Sequence, residues 1–213
     1  MRENRRRVEE LSGGRLAYVY MPNTSDDGYN AFNRDFYAQL DRQGLILDAR
    51  FNEGGRAADY VIDILRRVPL QHAQLRAGGD INIPTGIIDG PKVVLTNETA
   101  GSGGDTLPWM AKRTGAAVVV GTRTSGAGVG ASTHTLLDGG TVRVPDWGWY
   151  DPQTGTWLVE NRGVTPDVVL ENMPTDWRAG RDPQLERAVS IALDALKKNP
   201  PAPVRRPKYP VYK

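Results

Sequence analysis

Two stretches of this chain repeat one pattern, and that pattern restricts the fold more than any other feature. A short apolar run at 45–48 leads into Phe51, Asn52, Glu53 and the pair Gly54 and Gly55, then into a helical stripe. A second strand-like run at 92–96 leads into Ala100, Gly101, Ser102, Gly103 and Gly104, then into another. Short apolar runs bounded by turn residues fit strands buried on both faces. Strands of that kind alternating with helices predict an α/β domain, with a parallel or mixed sheet covered by helices.

The flanking sequence extends the series. A charged helical lead-in precedes a strand over 15–20, and residues 21–29 read as loop. Phe32, Phe36 and Leu40 recur four apart and predict a helix over 31–42, while Val61, Ile64, Leu65 and Val68 predict one over 57–68. A strand is expected at 117–121, and Leu137 to Thr141 and Asp151 to Gly155 carry hairpin turn signals. Asp182 followed by Pro183 opens a last helix, with Leu185, Val189, Leu193 and Leu196 facing inward. The expected organisation is one domain over 1–199 and an extended proline-rich tail over 200–213, either a free end or an arm laid on a neighbour.

Composition narrows the function classes. The 213 residues, 39% hydrophobic and 24% charged, suffice for a full core. The formal net charge of +2 is small and its basic residues crowd into the termini, which argues against nucleic-acid binding. No apolar run approaches the roughly 18 residues of a membrane span, and the arginine-rich start is broken too soon to be an export signal. The absence of cysteine removes disulfides, thiolate metal sites and thiol nucleophiles, and fits a cytoplasmic protein. No spacing of histidine and acid suggests a metal site, and no cofactor is expected.

Ser102 is the candidate nucleophile. It lies between glycines where a strand gives way to a helix, so its hydroxyl is presented beside free amides of a helix N-terminus. In a parallel sheet ligands gather at the carboxyl ends of strands, where Gly54 and Gly55 also lie. The backbone N–H of Gly103, joined by one from Gly54 or Gly55, would make an oxyanion hole.

Three stretches in order, 48–55, 97–105 and 160–167, resemble the carboxy-terminal catalytic subdomain of the tricorn protease family, within the wider tail-specific serine peptidases. The likeness runs over nearly the whole chain. By that resemblance Ser102 matches the nucleophile, Gly103, Gly54 and Gly55 the oxyanion backbone, and Glu160 the carboxylate that helps orient a catalytic histidine. The resemblance also implies the crotonase-like, Clp-like spiral of ββα units, an extended peptide substrate, and assembly into a homo-oligomer.

The sequence departs from that family twice. Gly103 stands where an aspartate favouring basic residues is typical, so a charged specificity pocket does not follow. The family's general base is a histidine upstream of a peptide-binding module, and neither is found in these residues, so the base is expected from another segment or chain. A serine without a base is a poor nucleophile, and the isolated chain is expected to be inactive or weakly active. His134, after the glycine-rich stretch 126–130, is the local alternative, with His72 a weaker one. Lys112 lies too far along the helix that starts after Ser102, about 15 Å at 1.5 Å per residue.

Other readings remain. Residues 126–131 fit the dinucleotide pattern G-x-G-x-x-A, yet no helix follows. Trp147, Trp149 and Trp157, expected on one hairpin, would either pack beneath it or anchor a subunit contact. A non-catalytic peptide-binding or assembly domain on the same fold is the main alternative to a peptidase; an enolate-stabilising crotonase-type enzyme is another.

Overall fold

The computed structural model describes residues 2–202, 204–209 and 211. Its centre is a five-stranded sheet, parallel throughout, in the order β1 (Leu16–Tyr20), β2 (Gly44–Asp48), β5 (Lys92–Thr96), β6 (Val118–Gly121), β9 (Val168–Val169). Side chains alternate between two cores. Ala17, Val19, Leu45, Leu47, Val94 and Val119 face α2 (Asp26–Tyr37), α3 (Ala58–Leu65) and α4 (Gly103–Thr114). Leu16, Tyr18, Ile46, Val93, Leu95 and Val120 face α1 (Arg2–Ser12) and α6 (Pro183–Lys198). Both faces are therefore dry, and each fully buried Leu or Ile contributes about 1.5–3 kcal/mol.

Antiparallel pairing occurs only outside this sheet among the described residues. β3 (Gln71–Gln74) pairs with β4 (Asp80–Ile83), and β7 (Val129–Thr135) with β8 (Thr141–Gly148), where a register shift falls at Gly130 and Ala131. The turn expected at 137–141 closes the second hairpin. Residues 168–169 and the short α5 (Pro174–Arg178) complete the elements.

Several bounds differ from the sequence reading, for local reasons. The helix expected over 31–42 starts at Asp26, inside the stretch read as loop. Asn23 Oδ1 accepts the N–H groups of Ser25 and Gly28, at 3.0 and 2.9 Å, and Asp26 and Asp27 sit at the favourable end of the helix dipole. It ends at Tyr37, leaving Leu40 partly exposed. α3 stops at Leu65, so Val68 is exposed rather than inward. His72, read as part of a surface loop, belongs to β3. The cap expected at Asp182 is present, its Oδ1 accepting the Leu185 N–H at 3.1 Å. After Lys198 the described tail has neither helix nor strand, and it lies along the chain's own β3–β4 hairpin: Arg206 pairs with Asp80 at 2.9 Å and the Tyr209 hydroxyl accepts from Gln74.

Candidate active site

Parallel registry brings the two glycine loops together. Leu47 pairs with Val94 and Asp48 with Leu95, so β2 and β5 end level and their following loops emerge side by side. The Gly101 N–H then bonds the Asn52 carbonyl at 3.1 Å, tying one loop to the other.

Ser102 precedes α4 with φ 56° and ψ −114°. A residue with a side chain adopts positive φ only under strain, and a strained strand-to-helix turn is how a serine is held out over a sheet. The turn is fixed by the Ser102 carbonyl, which accepts from the N–H groups of Asp105 and Thr106 and from the Thr106 hydroxyl. Its own hydroxyl has no hydrogen bond among the described residues and faces Gly54, where an added Cβ would stand 3.1 Å from Oγ.

Gly103 touches the opposite loop. A Cβ at residue 103 would lie 1.9 Å from Thr24 Oγ1 and 2.4 Å from the Gly55 carbonyl oxygen, so this position admits no side chain. Of the candidate donors, the Gly54 N–H is already bound to Asn52 Oδ1 at 2.9 Å. The N–H groups of Gly55 and Gly103 have no acceptor among the described residues, and the Gly55 nitrogen lies 2.9 Å from where a Cβ at residue 103 would stand. A cavity of about 730 Å³ opens beside Gly55, walled by Thr24, Asp26, Tyr29, Arg56 and Tyr60.

Glu160 stands on the other side of the loop 124–129. Its Oε2 accepts the N–H groups of Gly128 and Val129 at 2.7 and 2.8 Å, and its Oε1 has no partner among the described residues. That loop is itself fastened to α4, the helix that follows Ser102. Buried Asp105, three residues after Ser102, accepts from the Thr124 hydroxyl, from Gly126 N at 2.9 Å and from Ala127 N at 3.0 Å. Glu160 also lines a cavity of about 510 Å³ with Trp147, Trp149, Trp157, Leu158 and Arg162.

His134 is exposed on β7 opposite Val142, and His72 is exposed opposite Asn82. Neither has a hydrogen bond with any residue of the site among the described residues. Lys112 is engaged elsewhere, with the Thr165 carbonyl and, at 3.2 Å, with Asp167. The stretch 126–131 runs into strand β7 rather than a helix, which removes the geometry a dinucleotide pyrophosphate needs. Among the described residues no group of three or more metal-ligating side chains converges.

The sequence model of peptidase family S41 matches residues 15–170. The chain belongs to this family. Within it, a putative tricorn protease homolog 2 of Streptomyces coelicolor is 39% identical over 197 residues, covering 92% of this chain and 17% of the relative. A putative tricorn-like protease C-terminal subunit of Sulfurisphaera tokodaii is 34% identical over 195 residues, covering 91% and 23%. The crystal structure of the tricorn protease superposes with a TM-score of 0.87 at 36% identity, over 92% of this chain and 19% of that one. The fold of this S41 chain is therefore that of a tricorn-type catalytic subdomain, and the chain spans less than a quarter of these relatives' lengths.

The sequence reading did not reach four residues that shape this S41 site: Thr24, Asn52, Asp105 and Thr124. For Asn52 a signal was present, since an Asx residue two positions before a glycine favours a side-chain-to-backbone turn. For Thr24 and Thr124 there was none, because their partners are 30 and 19 positions away or more.

Proposed function

We propose that the chain is the nucleophile-bearing part of a serine peptidase acting on peptides. The observation that carries this reading is Ser102 held at positive φ with the unengaged amides of Gly55 and Gly103 beside it. In this reading Ser102 Oγ attacks the scissile carbonyl as its proton passes to a histidine. The carbonyl oxygen, becoming an oxyanion, takes hydrogen bonds from Gly55 and Gly103, each worth roughly 2.7–4 kcal/mol where such donors have been removed. Glu160, gripped by Gly128 and Val129 through one oxygen, keeps the other for the group that orients that histidine.

The histidine comes from another segment or chain, for neither His72 nor His134 is at the site. The resemblance supports an upstream histidine-bearing region and a homo-oligomer, and the lack of cysteine fits a cytoplasmic setting; among the described residues no helix is long and apolar enough to cross a membrane. We take residues 1–199 as the catalytic subdomain and 200–213 as its tail.

A fluorophosphonate probe tests the reading. Ser102 is expected to label slowly in the chain alone and faster when imidazole or the histidine-bearing region of a tricorn relative is added, and Ser102→Ala is expected to take no label. Absence of labelling under all three conditions, with peptide binding retained, would replace the peptidase by the peptide-binding domain.

A further inference from the structure

We propose that Asn52 is the positioning residue that decides which glycine amide serves the oxyanion, an inference that rests on the peptidase reading above. Asn52 is wholly buried and works in four directions at once. Its Oδ1 accepts the Gly54 N–H at 2.9 Å, and its Nδ2 donates to the Met21 carbonyl at 3.2 Å, just beyond the end of β1. Its backbone carbonyl accepts the Gly101 N–H at 3.1 Å, from the nucleophile loop. Against its carbonyl and Cβ lies Gly104, in the first turn of α4, where an added Cβ would stand 2.6 and 3.1 Å away.

The consequence is selection between neighbours. Gly54 and Gly55 both have positive φ, 95° and 131°, and a two-glycine loop of that kind has many alternative conformations. In one, the Gly54 amide turns toward the cleft and Gly55 turns away. Asn52 removes that option by engaging the Gly54 amide, while the Gly54 carbonyl takes the Thr24 N–H at 2.8 Å. Gly55 is left with a free N–H at the position facing Gly103. Since the backbone carbonyl of the same residue also receives Gly101, the two halves of the oxyanion hole are referred to one buried residue, and preorganisation of that kind is what makes such donors effective.

Amide exchange and probe labelling of the 15N-labelled chain test this. In the parent, the Gly54 amide is expected to exchange slowly and Gly55 rapidly. On forming the Ser102 phosphonyl adduct, with imidazole present, the Gly55 and Gly103 signals should move and Gly54 should not. Asn52→Ala should bring Gly54 to the exchange rate of Gly55 and slow labelling on the order of tenfold to a hundredfold, while Asn52→Asp, which keeps the acceptor, should retain Gly54 protection. A purely structural role would lower thermal stability in both variants without this split. The proposal is overturned if Gly54 in the parent exchanges as fast as Gly55, if the adduct shifts Gly54 instead, or if Asn52→Ala labels at the parent rate. A parent that takes no label ends the peptidase reading alone; the exchange contrast in parent and variants then decides whether Asn52 sets the two amides.

Discussion

Gly54 and Ser102 are in contact across two loops 48 positions apart: a Cβ at residue 54 would lie 2.7 Å from Ser102 Cβ and 3.1 Å from its hydroxyl. The Ser102 side chain thus has clearance only because its neighbour has no side chain. Gly54→Ala is expected to fold less stably, by about 1–3 kcal/mol for the forced shift, and to suppress Ser102 labelling. Chemical denaturation and fluorophosphonate kinetics on the same sample check both halves.

Strain at Ser102 has its own measurable counterpart. With φ at 56°, replacement by glycine relieves a conformation that costs on the order of 1–3 kcal/mol in residues with side chains, offset in part by the flexibility glycine adds to the unfolded chain. Ser102→Gly should unfold at a higher denaturant concentration than Ser102→Ala, and neither should label. Equal midpoints for the two would remove the strain argument.

Thr24 is fully buried and its hydroxyl has no hydrogen-bond partner among the described residues, while it fills the space a side chain at residue 103 would need. Thr24→Val keeps the shape and removes the unpaired oxygen, so stability should be unchanged or rise by up to about 1–3 kcal/mol. Gly103→Asp should destabilise by more than about 1 kcal/mol, and Thr24→Gly in the same chain should recover part of that loss. A double-mutant cycle measures the coupling.

Asp105 joins α4 to the loop that holds Glu160. Asp105→Asn would set an amide donor against groups that all donate, leaving at least one buried group unpaired at a cost of about 1–3 kcal/mol. Labelling with imidazole present should slow less than with the histidine-bearing region, because only the latter needs Glu160 in place.

The chain should lose stability in acid through a specific pair. Buried Asp182 is pushed up by desolvation, but the Arg50 guanidinium at 2.9 Å and the donors Asn172 and Leu185 more than reverse this and hold it below its ordinary value. A folded value below the unfolded one, about 3.9, means stabilisation that is complete above that pH and is lost as pH falls through the folded value. As pH drops from about 5 to 2, the unfolding free energy should fall less steeply in Asp182→Asn. Arg50→Leu strands Asp48 and Asp182 as buried carboxylates and should cost about 3–5 kcal/mol at neutral pH.

The sequence by itself determined the βα alternation, the buried strands at 45–48 and 92–96, the Asp182 cap and the Ser102 turn, because each is written in neighbouring residues through side-chain period, proline and glycine. It also narrowed the candidate oxyanion donors to three glycines. Only the tertiary structure decided that Gly55 and not Gly54 has the free amide, since that depends on where the Asn52 carboxamide points once β2 and β5 end in register. The same holds for the fit of Thr24 against Gly103 and for the exposed place of His134, which follow from which loops meet in space, and no local pattern in the chain encodes that.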